Sequence, residues 1–251
     1  MLLEDSRRNA HDSLAEDWAR PVVGLQVGQG RLSGRLIDLN GRLNLNDLLD
    51  GQGAVDPLQR ARFRRLLALL DLPQDLSESL LDWLDADSRP RAGGGEDGTY
   101  AGLGYRTANA PLQALAELSR VRGYTPEVVQ RLRPHVAVLP RGRPLNVNTA
   151  SAEVLRAVVP QLGADLAASL QQEMAQGGFP ALADFIRRLQ ELGVPPDDSR
   201  GLGVRSHDFL LRVWMAHESR RLGVRIHLHR EGGRIRVLSR QTDPGGSWPH
   251  P

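Results

Sequence analysis

The chain has 251 residues, 40% of them hydrophobic and 25% charged, enough to bury a sizeable core as one domain with an insert or as two domains. Its formal charge is +2 and all 32 basic residues are arginines interspersed with acids, whereas a polyanion binder carries a clustered excess. Cysteine is absent, which excludes disulfides, thiolate metal sites and cysteine nucleophiles, and no apolar run reaches the ~18 residues of a membrane span.

Residues 1–21 read as the middle of a helix whose start is missing, with Leu2, Leu3, Leu14 and Trp18 as its apolar residues and Pro21 as its stop. No signal peptide precedes Met1. Val23, Leu25 and Val27 alternate, as do Leu32 and Leu36, on either side of residues 28–30, which predicts a hairpin. A turn follows at 38–41, and Asn44 and Asn46 lead into helical sequence. Leu58, Phe63, Leu66, Leu67 and Leu70 mark one amphipathic helix, and Leu76, Leu80, Leu81 and Leu84 a second, separated from the first by Pro73. Short helices are predicted over 111–118 and 126–132, the latter with Thr125-Pro126 as cap and first turn.

An internal repeat is visible. Leu43-Asn44-Leu45-Asn46 recurs as Leu145-Asn146-Val147-Asn148, and the stretch 111–118 recurs as 180–185. The helical middle therefore contains two related units, 43–139 and 145–193. Short alternating segments at 209–216, 223–229 and 234–238 then read as strands, with a bend at Leu222-Gly223, a hairpin turn at Gly232-Gly233 and a turn-rich tail from 241. The fold class expected is α+β: a small domain (1–42 and 204–251) of helix and antiparallel strands, interrupted by an all-α insert (43–203).

The chemistry concentrates at 82–100. Asp85, Asp87, Glu96 and Asp97 place four carboxylates within thirteen positions, around three consecutive glycines. Such crowding is unfavourable unless the charges are well solvated or share a cation. Asp85, Asp87 and Glu96 occupy relative positions 1, 3 and 12 of an EF-hand loop, but Arg89 and Pro90 stand where that motif needs an oxygen ligand and a glycine. Two readings stay open: a Ca²⁺ site of another design, with one ion or two, or a solvated acidic loop neutralised by Arg89 and Arg91.

The run 145–163 resembles a helix-hairpin-helix unit, a fold often used to hold DNA backbone. Gln161 stands where the first hairpin glycine is usual and no basic cluster follows, so a structural unit is the better reading and a nucleic-acid-binding module the alternative. His227 and His229 share one face of a predicted strand, and a Zn²⁺ site with His217 is conceivable there. No nucleophile elbow, zincin motif or phosphate loop is present, and the acidic loop lacks an apolar wall to raise one carboxylate's pKa, so no enzyme is expected.

Taken together, 82–87 (DWLDAD), Glu96-Asp97 with Tyr100, 105–109 (YRTAN), 145–150 (LNVNTA) and the closing 234–237 strand make the chain resemble the K-type minor pseudopilins of the bacterial type II secretion system. The resemblance implies a pilin-like domain interrupted by a large α-helical insert with two helix-hairpin-helix or SAM-like units. It implies structural Ca²⁺ at Asp85, Asp87, Glu96 and Asp97. It also implies I-type and J-type minor pseudopilins as partners at the tip of a periplasmic pseudopilus. That fibre exports folded proteins, and secreted cargo or the secretin are further contacts. The family's hydrophobic helix, which anchors it in the inner membrane, is not in this chain.

Overall fold

A computed structural model describes residues 10–217 and 220–242. The hairpin expected after Pro21 is β1 (Val22–Val27) paired with β2 (Gly30–Asp38), turning at Gly28, whose φ of +60° suits a residue without Cβ. The chain then leaves the sheet for a helical block and returns with β7 (Asp208–His217), β8 (Arg220–Glu231) and β9 (Arg234–Thr242). The five strands lie in the order β1-β2-β7-β8-β9, all antiparallel. β2 and β7 pair without a break from Arg31↔Ala216 to Asp38↔Phe209, although the whole helical block separates them in sequence.

Between those strands run β3 (Leu43–Asn44), α1 (Pro57–Leu69), α2 (Asp75–Leu84), α3 (Asp97–Tyr100), α4 (Pro126–Leu132), β4 (Val136–Ala137), β5 (Leu145–Asn146), α5 (Ala152–Val158), α6 (Ala164–Ala175), α7 (Leu182–Glu191) and β6 (Leu202–Gly203). Asp56 caps α1 by accepting from Leu58 and Gln59 N–H, with Pro57 at the first helical position. One apolar cluster spans the block, from Leu43 through Phe63, Leu80, Leu155 and Phe185 to Leu202.

The repeat is structural as well as sequential. Each unit opens on a two-residue strand that enters a 3₁₀ turn and pairs in parallel with a partner beyond its helices, β3 with β4 and β5 with β6. Buried Asn46 donates to the carbonyls of Leu112 and Leu139 and accepts from Leu112 N–H; its counterpart Asn148 donates to the Phe179 carbonyl and accepts from Phe179 N–H. Glu117 and Asp184 close matching caps by accepting from the N–H groups of Ala114 and Ala181.

Buried polar groups join the block to the sheet. Asn40 accepts from His207 and Asp208 N–H and donates to the Pro144 carbonyl. Asp38 accepts from Asn40 N–H and from the hydroxyls of Thr149 and Ser206, while Asn146 donates to Ser206 and to the Asp12 carbonyl. Arg230 donates to Asp12 at 2.6 Å.

Three local expectations are corrected. Residues 10–21 contain only a short 3₁₀ turn, Asp17–Ala19; Leu2 and Leu3 lie outside the described residues. Asp12 is held to Val204, Ser206 and Arg230, which stops a helix from running through it, and Trp18 packs edge-on against Phe209 with centroids 5.3 Å apart. Leu222 and Gly223 are not a bend: they pair with Met215 and Trp214 inside β8. The segment 111–118 forms no α-helix, because the Glu117 cap starts a 3₁₀ turn only at Leu115.

Candidate metal centre

The acidic loop leaves the end of α2, a helix buried from Leu76 to Leu84. Trp83 packs edge-on against Tyr100, centroids 5.3 Å apart, and Tyr100 stacks on Tyr105 at 5.5 Å, so the loop rests on an aromatic wall. The glycine run is required by close approach. A Cβ on Gly94 would lie 2.0 Å from an Asp82 carboxylate oxygen, and Gly93, at φ +86°, passes beside Asp75. Ser79 and Arg122 then tie the carbonyls of Gly93 and Gly94.

Asp85, Asp87 and Glu96 converge: one carboxylate oxygen from each lies within 4.8 Å of the others. Among the described residues this is the one group of three or more acid or histidine side chains with that geometry. Asp85 and Glu96 are buried and Asp87 is exposed. Arg91 clamps one side, donating to Asp82 at 2.6 Å and to Asp85 at 2.5 Å. Thr107 donates to Glu96 at 3.2 Å. Asp85 Oδ1 and Glu96 Oε1 are left buried with no hydrogen-bond donor.

Burial pushes both carboxyls above their ordinary range. For Asp85 the bond from Arg91 opposes the rise and Asp87 and Asp82 add to it; for Glu96 the Thr107 bond opposes it while Asp82, Asp85 and Asp87 add to it. Convergent, desolvated, partnerless carboxylate oxygens are the donor set a hard divalent cation takes, so the residues fit Ca²⁺.

Asp97 is not brought into the group. Glu96 precedes α3 in extended geometry while Asp97 is its first residue, and only Glu96 joins Asp85 and Asp87. Asp97 instead accepts from the N–H and hydroxyl of Thr107 at 3.0 and 3.1 Å. Arg91 does neutralise part of the loop, but Arg89 contributes only a backbone N–H to Asp87. Sequence reasoning missed Asp82 and Thr107 as parts of the site. A buried acid on the apolar helix 75–84 was the available signal for Asp82; for Thr107 it was only its place in the run 105–109.

The histidine site is not assembled. His227 and His229 each lie 3.1 Å from Asp208 Oδ1, and that carboxylate is held low by the two histidines despite its burial. His217 lies at the other end of β7, opposite Arg220 and seven residues beyond the position facing His227, roughly 23 Å at the usual rise per residue.

A family model described as "Type II secretion system (T2SS), protein K" matches residues 41–141, and a second of the same description matches residues 145–205. The type II secretion system protein K of Pseudomonas aeruginosa is 34% identical, over 96% of this chain and 74% of its own length. Those of Pectobacterium carotovorum and Klebsiella pneumoniae are 29% and 30% identical, covering 96% and 94% of this chain and 79% and 77% of their own lengths. Among solved structures, the crystal structure of the GspK-GspI-GspJ complex from enterotoxigenic Escherichia coli is similar with a TM-score of 0.81 and 26% identity, over 96% of this chain and 90% of the matched one.

Proposed function

The chain belongs to the type II secretion system protein K family, and from that premise we propose that it assembles with I-type and J-type minor pseudopilins at the tip of the pseudopilus, where it starts or caps the fibre that exports folded proteins. It is a minor pseudopilin. The observation that carries the assembly reading is its likeness, over nearly its whole length, to the K component of a solved K-I-J complex. Its role is structural rather than catalytic, in keeping with a family described as a component of the secretion system.

The five-stranded sheet is a pilin-like domain (1–42 and 204–251), and 43–203 is its helical insert. The protein works in the periplasm, anchored at the inner membrane; among the described residues no helix is long and apolar enough to cross a membrane. Asp85, Asp87 and Glu96 hold a structural Ca²⁺. The ion supplies the positive charge that Arg91 does not, and Asp97 supports it through Thr107, which bonds both Glu96 and Asp97. No observation on this chain supports the nucleic-acid-binding alternative.

Mixing the chain with the periplasmic parts of its I- and J-type partners and separating the mixture by size exclusion tests the assembly. A single three-component peak is expected; three separately eluting proteins would refute it.

A further inference from the structure

β1 pairs with β2 only as far as Val22↔Gly34, so β2 runs on alone past Arg35 on that edge. The space beside it is a cleft of about 390 Å³, closed by the residues before β1 and by the second helical unit. Trp18, Leu36 and Ile37 give it an apolar lining; Thr149, Ser151 and Gln171 give it hydroxyl and amide groups. Arg35 and Arg42 also line it.

The carboxylate beside these arginines is Asp38, which lines the same cleft and makes no ion pair with either. Arg42 donates to the backbone carbonyl of Arg133 at 2.8 Å. Its pKa is lowered, first by burial; Asp38 opposes that, and Arg35 and Arg133 add to it. Arg35 is lowered in the same way by burial and by Arg212. Among the described residues no carboxylate forms an ion pair with Arg35, Arg42 or Arg133. Asp38 sits in the cleft, but its oxygens are taken by Asn40, Thr149 and Ser206. Glu153 is nearest to His135, 3.7 Å away, which itself bonds Ser151.

Like charges gathered without a partner are unfavourable, and a planar guanidinium suits a carboxylate, which it can hold by two parallel bonds. We propose that this cleft binds a carboxylate on an apolar stem, presented as a glutamate side chain by a neighbouring subunit. The charge calls for the carboxylate and the apolar lining for the methylenes; the protein source of the group rests on the assembly reading above.

The test is Arg35→Gln/Arg42→Gln, checked for an unchanged melting temperature, with Arg64→Gln on the exposed face of α1 as control. Calorimetric titration into the I- and J-type partners should show a tenfold or greater loss of affinity for the double variant and a shallower salt dependence, with the control unchanged. Unchanged affinity in the double variant overturns the proposal. Should the unsubstituted protein fail to bind the partners, the assembly reading falls. The cleft is then judged by glutarate titration, followed through the arginine side-chain N–H signals. A saturable shift at Arg35 and Arg42 that the double variant lacks keeps the carboxylate site, and no shift overturns it.

Discussion

Neutralising Glu96 should change the sign of its effect with the metal present or absent. Glu96 Oε1 is buried without a donor, and Asp82, Asp85 and Asp87 repel it. Without metal, Glu96→Gln removes a desolvated charge and gives the orphaned site an amide, so the variant should be more stable than the parent by about 1–2 kcal/mol. With Ca²⁺ at a hundredfold excess over its dissociation constant, the parent gains about 2.7 kcal/mol by linkage. For a chain of this length that is roughly 5–11 °C in melting temperature. Losing one charged ligand should weaken the ion tenfold or more and remove at least about 1.4 kcal/mol of that gain. The raised carboxyl pKa values act in the same direction. A carboxyl held above its unfolded value costs nothing below the unfolded pKa and costs stability as pH rises through the folded one. The chelated parent should therefore weaken as pH rises through the raised range, and the Ca²⁺-loaded parent should not. The assay is thermal unfolding by circular dichroism, with chelator and with Ca²⁺, on both proteins. An equal Ca²⁺ response in parent and variant would refute the ligand role, and a parent that ignores Ca²⁺ would refute the site.

Three further predictions follow from buried groups elsewhere. Burial pushes Asp38 up to about 6, against the bonds from Ser206, Thr149 and Asn40, and Asp12 adds to the rise. The Asp38 contribution to stability should be fully present below the unfolded pKa near 4 and fall by up to about 3 kcal/mol as pH rises through 6, so the difference in melting temperature between the parent and Asp38→Asn should change over that range; parallel melting curves against pH would contradict it. Asn46→Ala, which leaves two carbonyls and an N–H of the first unit without partners, should cost about 3 kcal/mol in urea unfolding, and Asn148→Ala about 2 kcal/mol; a cost under about 0.5 kcal/mol at both would show that the clamps are dispensable. Gly94→Ala drives a Cβ into Asp82 and should cost at least about 2 kcal/mol with a weakened Ca²⁺ response, while Gly98→Ala, with nothing within 4 Å, should be neutral; equal melting temperatures for the two would remove the close-approach argument.

What could be read ahead of the coordinates was what has a period or a density. The apolar spacing marked α1 and α2 within a residue or two of their observed limits, because burial of one face imposes that pattern, and alternation marked β1, β2 and the closing hairpin, although β1 and β9 are exposed along their whole length. Carboxylate density picked out Asp85, Asp87 and Glu96, because charges are not packed together without a compensating partner. Direction was not legible. Asp97 adjoins Glu96 in sequence and both reach the Thr107 hydroxyl, yet only Glu96 joins Asp85 and Asp87. The two Leu-Asn-x-Asn runs could be matched as text, but the task of Asn46 and Asn148 depends on chain passing 31 to 93 residues away, which no local pattern encodes.

The loop's charge balance is the strongest physical reason to place an ion there. Asp82, Asp85 and Glu96 are buried, Asp87 lies against them, and among the described residues only Arg91 forms ion pairs with these four, with Asp82 and Asp85. The Arg91 pair is good enough to hold the α2 end of the loop and too far committed to reach Glu96. The second unit contains no comparable excursion and closes on the Asn148 clamp and the α5–α6 packing. A helical unit of this design therefore folds without an acidic loop, and the loop needs something the unit does not provide. The cation proposed above, shared by Asp85, Asp87 and Glu96, would meet that need: it would satisfy the two orphaned oxygens and fix the path from α2 to α3 against Trp83, Tyr100 and Tyr105. Chelation should then loosen that path first. Amide exchange between residues 85 and 107 should rise well before exchange in α5 and α6, and a uniform rise across both units would argue that the ion stabilises the fold globally and not through the loop.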